Sequence, residues 1–356
     1  MKSLLKVIIV TISVFCCKLS NAAVLTVCNY GTVAQFTSLA NAYVAANPGD
    51  TLYVYGSPTD YGTFIVQKKI TIIGAGYADS SINLSTTIST IVLDTTVSST
   101  ASGSNIIGIN FTNINFTANS VTNVFISRCN NFSTGGFIAM GPVNWTIENC
   151  VLDNIVFSLF GGSFVGCSSG IVNNNVIEGF PGDSYGSGYA SAPGLLFDHN
   201  MVVGNTGGPG GALSYFIGTY ATITNNVFLN FSSVGSAGYS NFTNNLLVYT
   251  AGPVSYPIGS YDIGSGNLDT TSSPFVNGLI YWTNPSSLSS NWQLLPSCSG
   301  HNGATDGTDI GIFGGSSPMM NFTGAAAIPQ MTLLTAPTTV TLDSPINVHF
   351  KARQQH

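Results

Sequence analysis

A five-residue phrase returns through the middle third of the chain. It reads Ile147-Glu148-Asn149-Cys150-Val151, Val172-Asn173-Asn174-Asn175-Val176 and Phe197-Asp198-His199-Asn200-Met201. It continues as Ile223-Thr224-Asn225-Asn226-Val227 and Phe242-Thr243-Asn244-Asn245-Leu246, with a looser first copy at Ile126-Ser127-Arg128-Cys129-Asn130. From one fourth residue to the next the steps are 21, 25, 25, 26 and 19 residues. Self-similarity at this period marks a stacked repeat. Each unit is too short for a helix pair and reads as a brief strand running into an Asn turn. Asn tolerates the left-handed backbone that a tight turn needs, and its amide both donates and accepts, so stacked copies can bond along the stack. The phrase predicts a parallel β-helix with one repeat per coil.

Only 6% of the 356 residues are charged and 44% are hydrophobic, against a usual charged share of about 25%. Such a chain is not disordered and can bury a long core. Residues 1–22 read as an export signal: Lys2 and Lys6, an apolar run from Val7 to Cys17, then Ser20 and Ala22 at the −3 and −1 positions. Cleavage is expected between Ala22 and Ala23, giving a secreted or cell-surface protein without a transmembrane segment. The β-helix with its cap is expected over 23–316 and a β tail over 317–356. Without the signal, five cations (Lys68, Lys69, Arg128, Lys351 and Arg353) face 14 carboxylates, a net charge of −9. Nucleic acid, which needs many phosphate-neutralising cations, is excluded as a partner, and polyanionic substrates are disfavoured. Cys28, Cys129, Cys150, Cys167 and Cys298 remain, an odd number. Cys129 and Cys150 share one repeat position, so they should stack; we read them as buried apolar thiols rather than a disulfide.

Near the start, Phe36, Leu39, Ala40, Tyr43 and Val44 follow helical spacing, with Thr37 or Ser38 as cap and Asn47-Pro48-Gly49-Asp50 as stop. Strands are predicted at Val24 to Cys28, Thr51 to Tyr55, Thr63 to Val66 and Ile70 to Ile73. A helix before a stack of strands serves as a lid over the open end. The stretch Phe36 to Val54, followed by Lys69-Ile70-Thr71-Ile72-Ile73-Gly74-Ala75-Gly76-Tyr77, resembles the opening of right-handed parallel β-helix proteins of the pectin-lyase-like superfamily. Trp292-Gln293-Leu294, with Asp306-Gly307-Thr308-Asp309-Ile310-Gly311-Ile312-Phe313-Gly314-Gly315, resembles the closing signature of secreted β-helix proteins of the Bacteroidetes type. The resemblance implies an all-β, right-handed solenoid with a short N-terminal capping helix. Beyond it, Thr339 to Leu342 and Ile346 to Phe350 read as an end hairpin around Asp343-Ser344-Pro345.

In register, the repeats align side chains in columns. One holds Ser127, Glu148, Asn173, Asp198, Thr224 and Thr243; the next holds Arg128, Asn149, Asn174, His199, Asn225 and Asn244. Asp153 and Glu178 fall three places beyond the marker on neighbouring coils, about 4.8 Å apart. Asp153, Glu178, Glu148 and Asp198 are therefore the candidate catalytic carboxylates of a glycan-processing groove, since glycosidases place two carboxyls close together and raise one pKa. The competing reading is that these acids solvate the coil surface, with Arg128 pairing Glu148. A calcium site at Asp153, Glu178 and Asp183 has no ligand motif behind it, so no cofactor is assigned. His199 beside Asp198 has the makings of a base with its orienting carboxylate, but adjacent residues are expected to point apart, leaving His199 a substitute for Asn.

The lyases and polygalacturonases that the resemblance brings to mind use motifs not found here: no Lys lies between 70 and 350, and Arg128 is the single Arg in that span. The expected function is therefore non-catalytic, a structural or glycan-binding surface module for a neutral polysaccharide or cell-surface glycan. Tyr185, Tyr189 and Tyr215, in or beside the Gly-rich stretches 179–194 and 204–214, are the candidate sugar-stacking residues, with His199 beside them. The alternative is a polysaccharide-degrading enzyme, hydrolase or lyase, using the carboxylates above.

Overall fold

The computed structural model describes residues 22–31, 34–78, 84–94, 101–116, 121–131, 137–139, 144–152, 155–156, 169–178, 194–203, 220–229, 239–248, 263–279, 290–320, 322–325, 329–335 and 349–354. The expected export signal up to residue 21, Asp153, Cys167, Asp183, Tyr185, Tyr189 and Tyr215 lie outside them.

The chain winds into a right-handed parallel β-helix. Its first sheet has ten parallel strands stacked in chain order, from Val24–Val27 to Asn241–Thr243. The second has eight, from Asn110–Phe111 to Leu268–Thr270, and the third five, from Thr63–Val66 to Ile155–Val156. Alternation decides which side chains go inside. On the first sheet Leu52, Ile72, Ile106, Ile126, Ile147, Val172, Phe197, Ile223 and Phe242 pair one above the next and fill the interior. Each contributes roughly 1.5–3 kcal/mol by leaving water. The similar segments Ile109-Asn110-Phe111-Thr112 and Ile114-Asn115-Phe116-Thr117 fall on neighbouring strands, Asn110–Phe111 of the second sheet and Asn113–Phe116 of the third.

The helix Leu39–Ala45 caps the open end as expected. Ser38 Oγ accepts the Asn41 N–H at 3.4 Å, and Leu39 and Ala42 are buried in the same cluster as Val27 and Leu52. At its far end Lys68 Nζ donates to the Tyr43 and Ala46 carbonyls at 2.5 and 2.6 Å, placing a cation where the helix dipole is negative. Toward the C-terminus Pro329–Thr335 pairs antiparallel with His349–Gln354; of the expected hairpin, Thr339 to Leu342 lies outside the described residues.

The repeated phrase makes the corner between the first and second sheets, and its two polar places do different work. The third residue holds the left-handed conformation: Arg128, Asn149, Asn174, His199, Asn225 and Asn244 have φ between +51° and +57°. The fourth residue, which the sequence reading made the turn residue, instead turns inward and forms the ladder. The Asn175 N–H donates to Asn200 Oδ1 at 3.0 Å, Asn200 N–H to Asn226 Oδ1 at 2.8 Å, and Asn226 N–H to Asn245 Oδ1 at 3.0 Å. Asn267, not counted in the sequence phrase, extends the ladder by accepting the Asn245 N–H at 3.0 Å. Each amide nitrogen also bonds back to the coil before, as Asn200 Nδ2 does to Val172 O at 2.8 Å. Asn175, Asn200, Asn226 and Asn245 are completely buried yet satisfied, which is what a buried polar group requires.

At the N-terminal end of the ladder the amides give way to thiols. Cys150 N–H donates to Asn175 Oδ1 at 2.9 Å, and Cys129 N–H to Cys150 Sγ at 3.3 Å. Both cysteines are unpaired and fully buried, and burial pushes the Cys150 thiol well above its ordinary pKa, so it behaves as an inert filler.

Replacing Asn200 by Ala strands the Asn175 N–H in the interior and removes the Asn200 Nδ2 donor to Val172 O, while Asn175 Nδ2 keeps Ile147 O and Asn173 O. Each lost partner costs about 1–3 kcal/mol, so Asn200→Ala should lower stability by about 3 kcal/mol, read from the urea midpoint. A midpoint within error of the parent would contradict the ladder's role.

Candidate functional site

The outward column of the first sheet is as the register required: Ser127, Glu148, Asn173, Asp198, Thr224 and Thr243 sit one above the next. Glu148 and Asp198 share this stripe with Asn173 between them. Glu178 lies elsewhere. It follows Ile177 on the second sheet, on the outward column that continues as Val203, Leu229 and Val248, and its N–H donates to Leu152 O at 2.7 Å. The corner separates Glu178 from Glu148 and Asp198, so these three do not form one cluster. Its expected partner Asp153 lies outside the described residues, as do Tyr185, Tyr189 and Tyr215.

That second-sheet column is covered by a C-terminal strap. Val151, Val176, Met201, Val227 and Leu246, with Val203, Leu229 and Val248, pack under Phe275, Trp292, Leu294, Ile310, Ile312 and Met319 as a second buried cluster. A parallel sheet buried on both faces needs apolar residues in succession, which explains Met201-Val202-Val203 and Leu246-Leu247-Val248. The strap runs back along the stack, and the left-handed corner residues hold it. Asn244 Nδ2 donates to Gly303 O at 2.9 Å, and Asn174 Nδ2 to Ile312 O and Gly314 O at 3.0 and 2.8 Å. Asn225 Nδ2 donates to Thr305 Oγ1 at 2.9 Å, while its Oδ1 accepts the Thr305 N–H at 2.8 Å. Arg128 Nη1 donates to Ala325 O at 3.0 Å, so its guanidinium serves the strap and not the expected pair with Glu148.

His199 and Asp198 correct the expectation that they point apart. The left-handed turn at His199 swings its ring back, and Nδ1 lies 2.9 Å from Asp198 Oδ2, a close contact without the alignment of a straight hydrogen bond. Asp198 Oδ1 accepts from Asn225 Nδ2 at 2.8 Å. On the ring's other side, Nε2 is 3.2 Å from Thr308 Oγ1 and 3.8 Å from Asp306 Oδ1. Carboxylate, imidazole and hydroxyl in this order have the connectivity of a nucleophile-activating triad. The hydroxyl is already committed: it donates to Asp306 Oδ1 at 2.6 Å and accepts the Gly315 N–H at 2.8 Å. His199 is 1% exposed. The ring fits only because Gly314 and Gly315 lack side chains, since a Cβ on either would approach it to 2.8 or 3.0 Å. Burial raises the Asp306 carboxyl, but the Thr308 hydroxyl and amide, with His199 beside it, outweigh this and hold it below the ordinary carboxylate range. The cluster is a clasp between corner and strap, with the hydroxyl's proton already given to Asp306. Among the described residues, no three His, Cys, Asp or Glu side chains converge to hold a metal ion.

The feature that sequence reasoning missed lies at the other corner, where each coil enters the first sheet. There too the backbone is left-handed, at Gly103, Asn123, Asn144, Ser169 and Gly194, small or turn-forming residues suited to it. The coils of Thr222–Thr224 and Asn241–Thr243 place Tyr220 (φ +72°) and Tyr239 (φ +60°) there instead. Their rings stack at 5.4 Å with planes 19° apart, and the residues are 56% and 51% exposed. They lie outside the repeated phrase, two residues before Thr222–Thr224 and Asn241–Thr243. The signal was the alignment of Tyr220-Ala221 with Tyr239-Ser240 at equal distance from the marker.

No family model matches the chain, and no curated protein matches it in sequence. Among the described residues no helix is long and apolar enough to cross a membrane.

Asn225→Ala should loosen the strap without unwinding the coils. Hydrogen exchange at Thr305 should speed up at least tenfold, the equivalent of about 1.4 kcal/mol, while Gly311, whose N–H donates to the Asn225 backbone carbonyl at 2.8 Å, changes less. Equal protection of Thr305 in both proteins would remove the clasp role of this side chain.

Proposed function

We propose that this is an exported, non-catalytic β-helix protein that holds a neutral polysaccharide against its first sheet. The observation that carries the reading is the stacked, exposed Tyr220–Tyr239 pair in a backbone conformation that costs a tyrosine on the order of 1–3 kcal/mol. In the five coils before them Gly, Asn or Ser holds that place, at Gly103, Asn123, Asn144, Ser169 and Gly194. Exposed aromatic rings offer sugar rings a flat apolar face, and Thr222, Asn241 and Thr243 beside them offer hydroxyls and an amide. The sheet repeats at a fixed rise, which suits a polymer that also repeats. A net charge of −9 after signal removal points to an uncharged glycan rather than a polyuronate. The resemblance to the pectin-lyase-like superfamily supports a polysaccharide as the partner, without bearing on its charge.

The second reading is a polysaccharide hydrolase using Glu148 and Asp198, which the shared column favours. Two coils separate them by roughly 10 Å along the stack, near the upper end of the spacing for inverting enzymes. We prefer the binding reading because both Asp198 oxygens already have partners in Asn225 and His199.

A panel of neutral polysaccharides in affinity electrophoresis tests both. Tyr220→Asn with Tyr239→Asn should weaken binding about tenfold or more while the melting temperature holds or rises, because Asn accepts the left-handed backbone. Undiminished binding in the double variant would sink the platform. New reducing ends that vanish in Glu148→Gln and Asp198→Asn would replace the binding reading with the enzymatic one.

A further inference from the structure

Ala23 is held at both of its backbone groups. Its N–H donates to Asp50 Oδ1 at 2.8 Å, and its carbonyl accepts the Thr51 N–H at 2.8 Å. Ala22, one residue earlier, is exposed. Asp50 is 4% exposed, and its other oxygen accepts the Asn47 N–H at 2.7 Å. The carboxylate thus stands where three pieces meet: the first strand, the residues that stop the capping helix, and the strand Thr51–Val54. It is charge-poor company for an anion. Lys68 is the cation beside it, and its ammonium is engaged by the Tyr43 and Ala46 carbonyls and lies 4.3 Å from the Tyr43 ring centroid. The amides of Ala23 and Asn47 hold the Asp50 carboxyl below its ordinary range, so it is ionised at neutral pH.

The bond before Ala23 is also the one that Ser20 and Ala22 mark for removal of the export signal. We propose that signal removal completes the fold by converting the Ala23–Asp50 hydrogen bond into an ion pair. Hydrolysis of the Ala22–Ala23 peptide bond by an endopeptidase of the export machinery consumes one water. It leaves a carboxylate on Ala22 and an amine on Ala23, which takes up a proton at neutral pH. The new ammonium lies where the amide N–H lay, against a carboxylate withdrawn from water, and a charge-assisted bond is about twice as strong as its neutral counterpart. The lid and first coil are therefore tied more tightly in the processed chain than in its precursor. This rests on the reading of the chain as exported.

The pairing has a pH signature. A free α-amine titrates near about 7.7–8.0, and a carboxylate partner raises that value in the folded chain. The extra stability is complete below the unfolded value and disappears as pH rises through the folded one. Lys68, which burial holds below its ordinary range against the opposing pull of Asp50, moves stability the other way at high pH. The comparison must therefore be between chains that share Lys68.

The exported protein is first sequenced from its N-terminus, with Ala23 expected. The chain beginning at Ala23 is then melted between pH 6 and 10 beside the same chain carrying Ala22 in front, which keeps the amide N–H but displaces the charge. The Ala23 chain should melt roughly 2–4 °C higher at pH 7, the gap closing by pH 10, and Asp50→Asn should remove the gap at every pH. If Asp50→Asn does not fold, the two N-termini decide alone. An exported chain beginning elsewhere overturns the proposal together with its export premise. A chain that begins at Ala23 but melts identically with and without Ala22 overturns the ion pair and leaves export standing.

Discussion

Each coil of this protein depends on one residue with its backbone in the left-handed region, at the corner between the first and second sheets. For most amino acids that conformation costs about 1–2 kcal/mol, and Asn lowers the cost. The turn reverses which way the next side chain faces. An inward Asn then meets the Asn of the coil above, and its amide closes the bonds that a corner would otherwise leave open to a dry interior. The apolar columns on either side come into line because the corners do. Hydrophobic burial supplies most of the stabilisation, and the corner decides the register in which it is collected.

The same turn places the third side chain of the phrase at the outer rim, and so it sets where the strap can dock. Arg128, Asn174, His199, Asn225 and Asn244 differ in chemistry, yet each reaches the strap. His199 is therefore better understood as a variation in fastening than as a catalytic base. Its contact with Asp198 follows from the corner's curvature, not from a reactive centre. The other corner uses the same backbone conformation, and there the exception is exposed. Two half-exposed tyrosines stand where smaller residues would be more comfortable.

The solenoid and its columns were legible in the sequence because a parallel stack pairs residues in one-to-one register. Once the phrases are aligned, the neighbour of Asp198 has to be Asn173 on one side and Thr224 on the other. The capping helix was legible through its spacing and Ser38. The division of labour between Asn174 and Asn175 was not, because both are Asn and a string of letters does not show which carries the positive φ. The strap was only half legible. Asp306 to Gly315 stood out by its resemblance to a closing signature, but Asn174 meets Gly314 across 140 residues, and no local pattern records such a contact. Glu178 was placed on the right column, but its face looked open until the strap was seen to cover the coils beyond it.

Repeat proteins usually behave as one-dimensional arrays, in which each unit feels its neighbours and the ends fray first. Their simplest way to change length is to gain or lose a unit. The strap alters that. Between Gly303 and Ala325 it runs from the coil of Asn244 back to that of Arg128, fastening to coils along the way. A terminal coil cannot peel off without pulling on the middle ones. An added coil would leave the strap one rise short at every later fastening, so the stack and its tie must lengthen together. The length of this solenoid is written twice, once in its repeats and once in the segment that spans them.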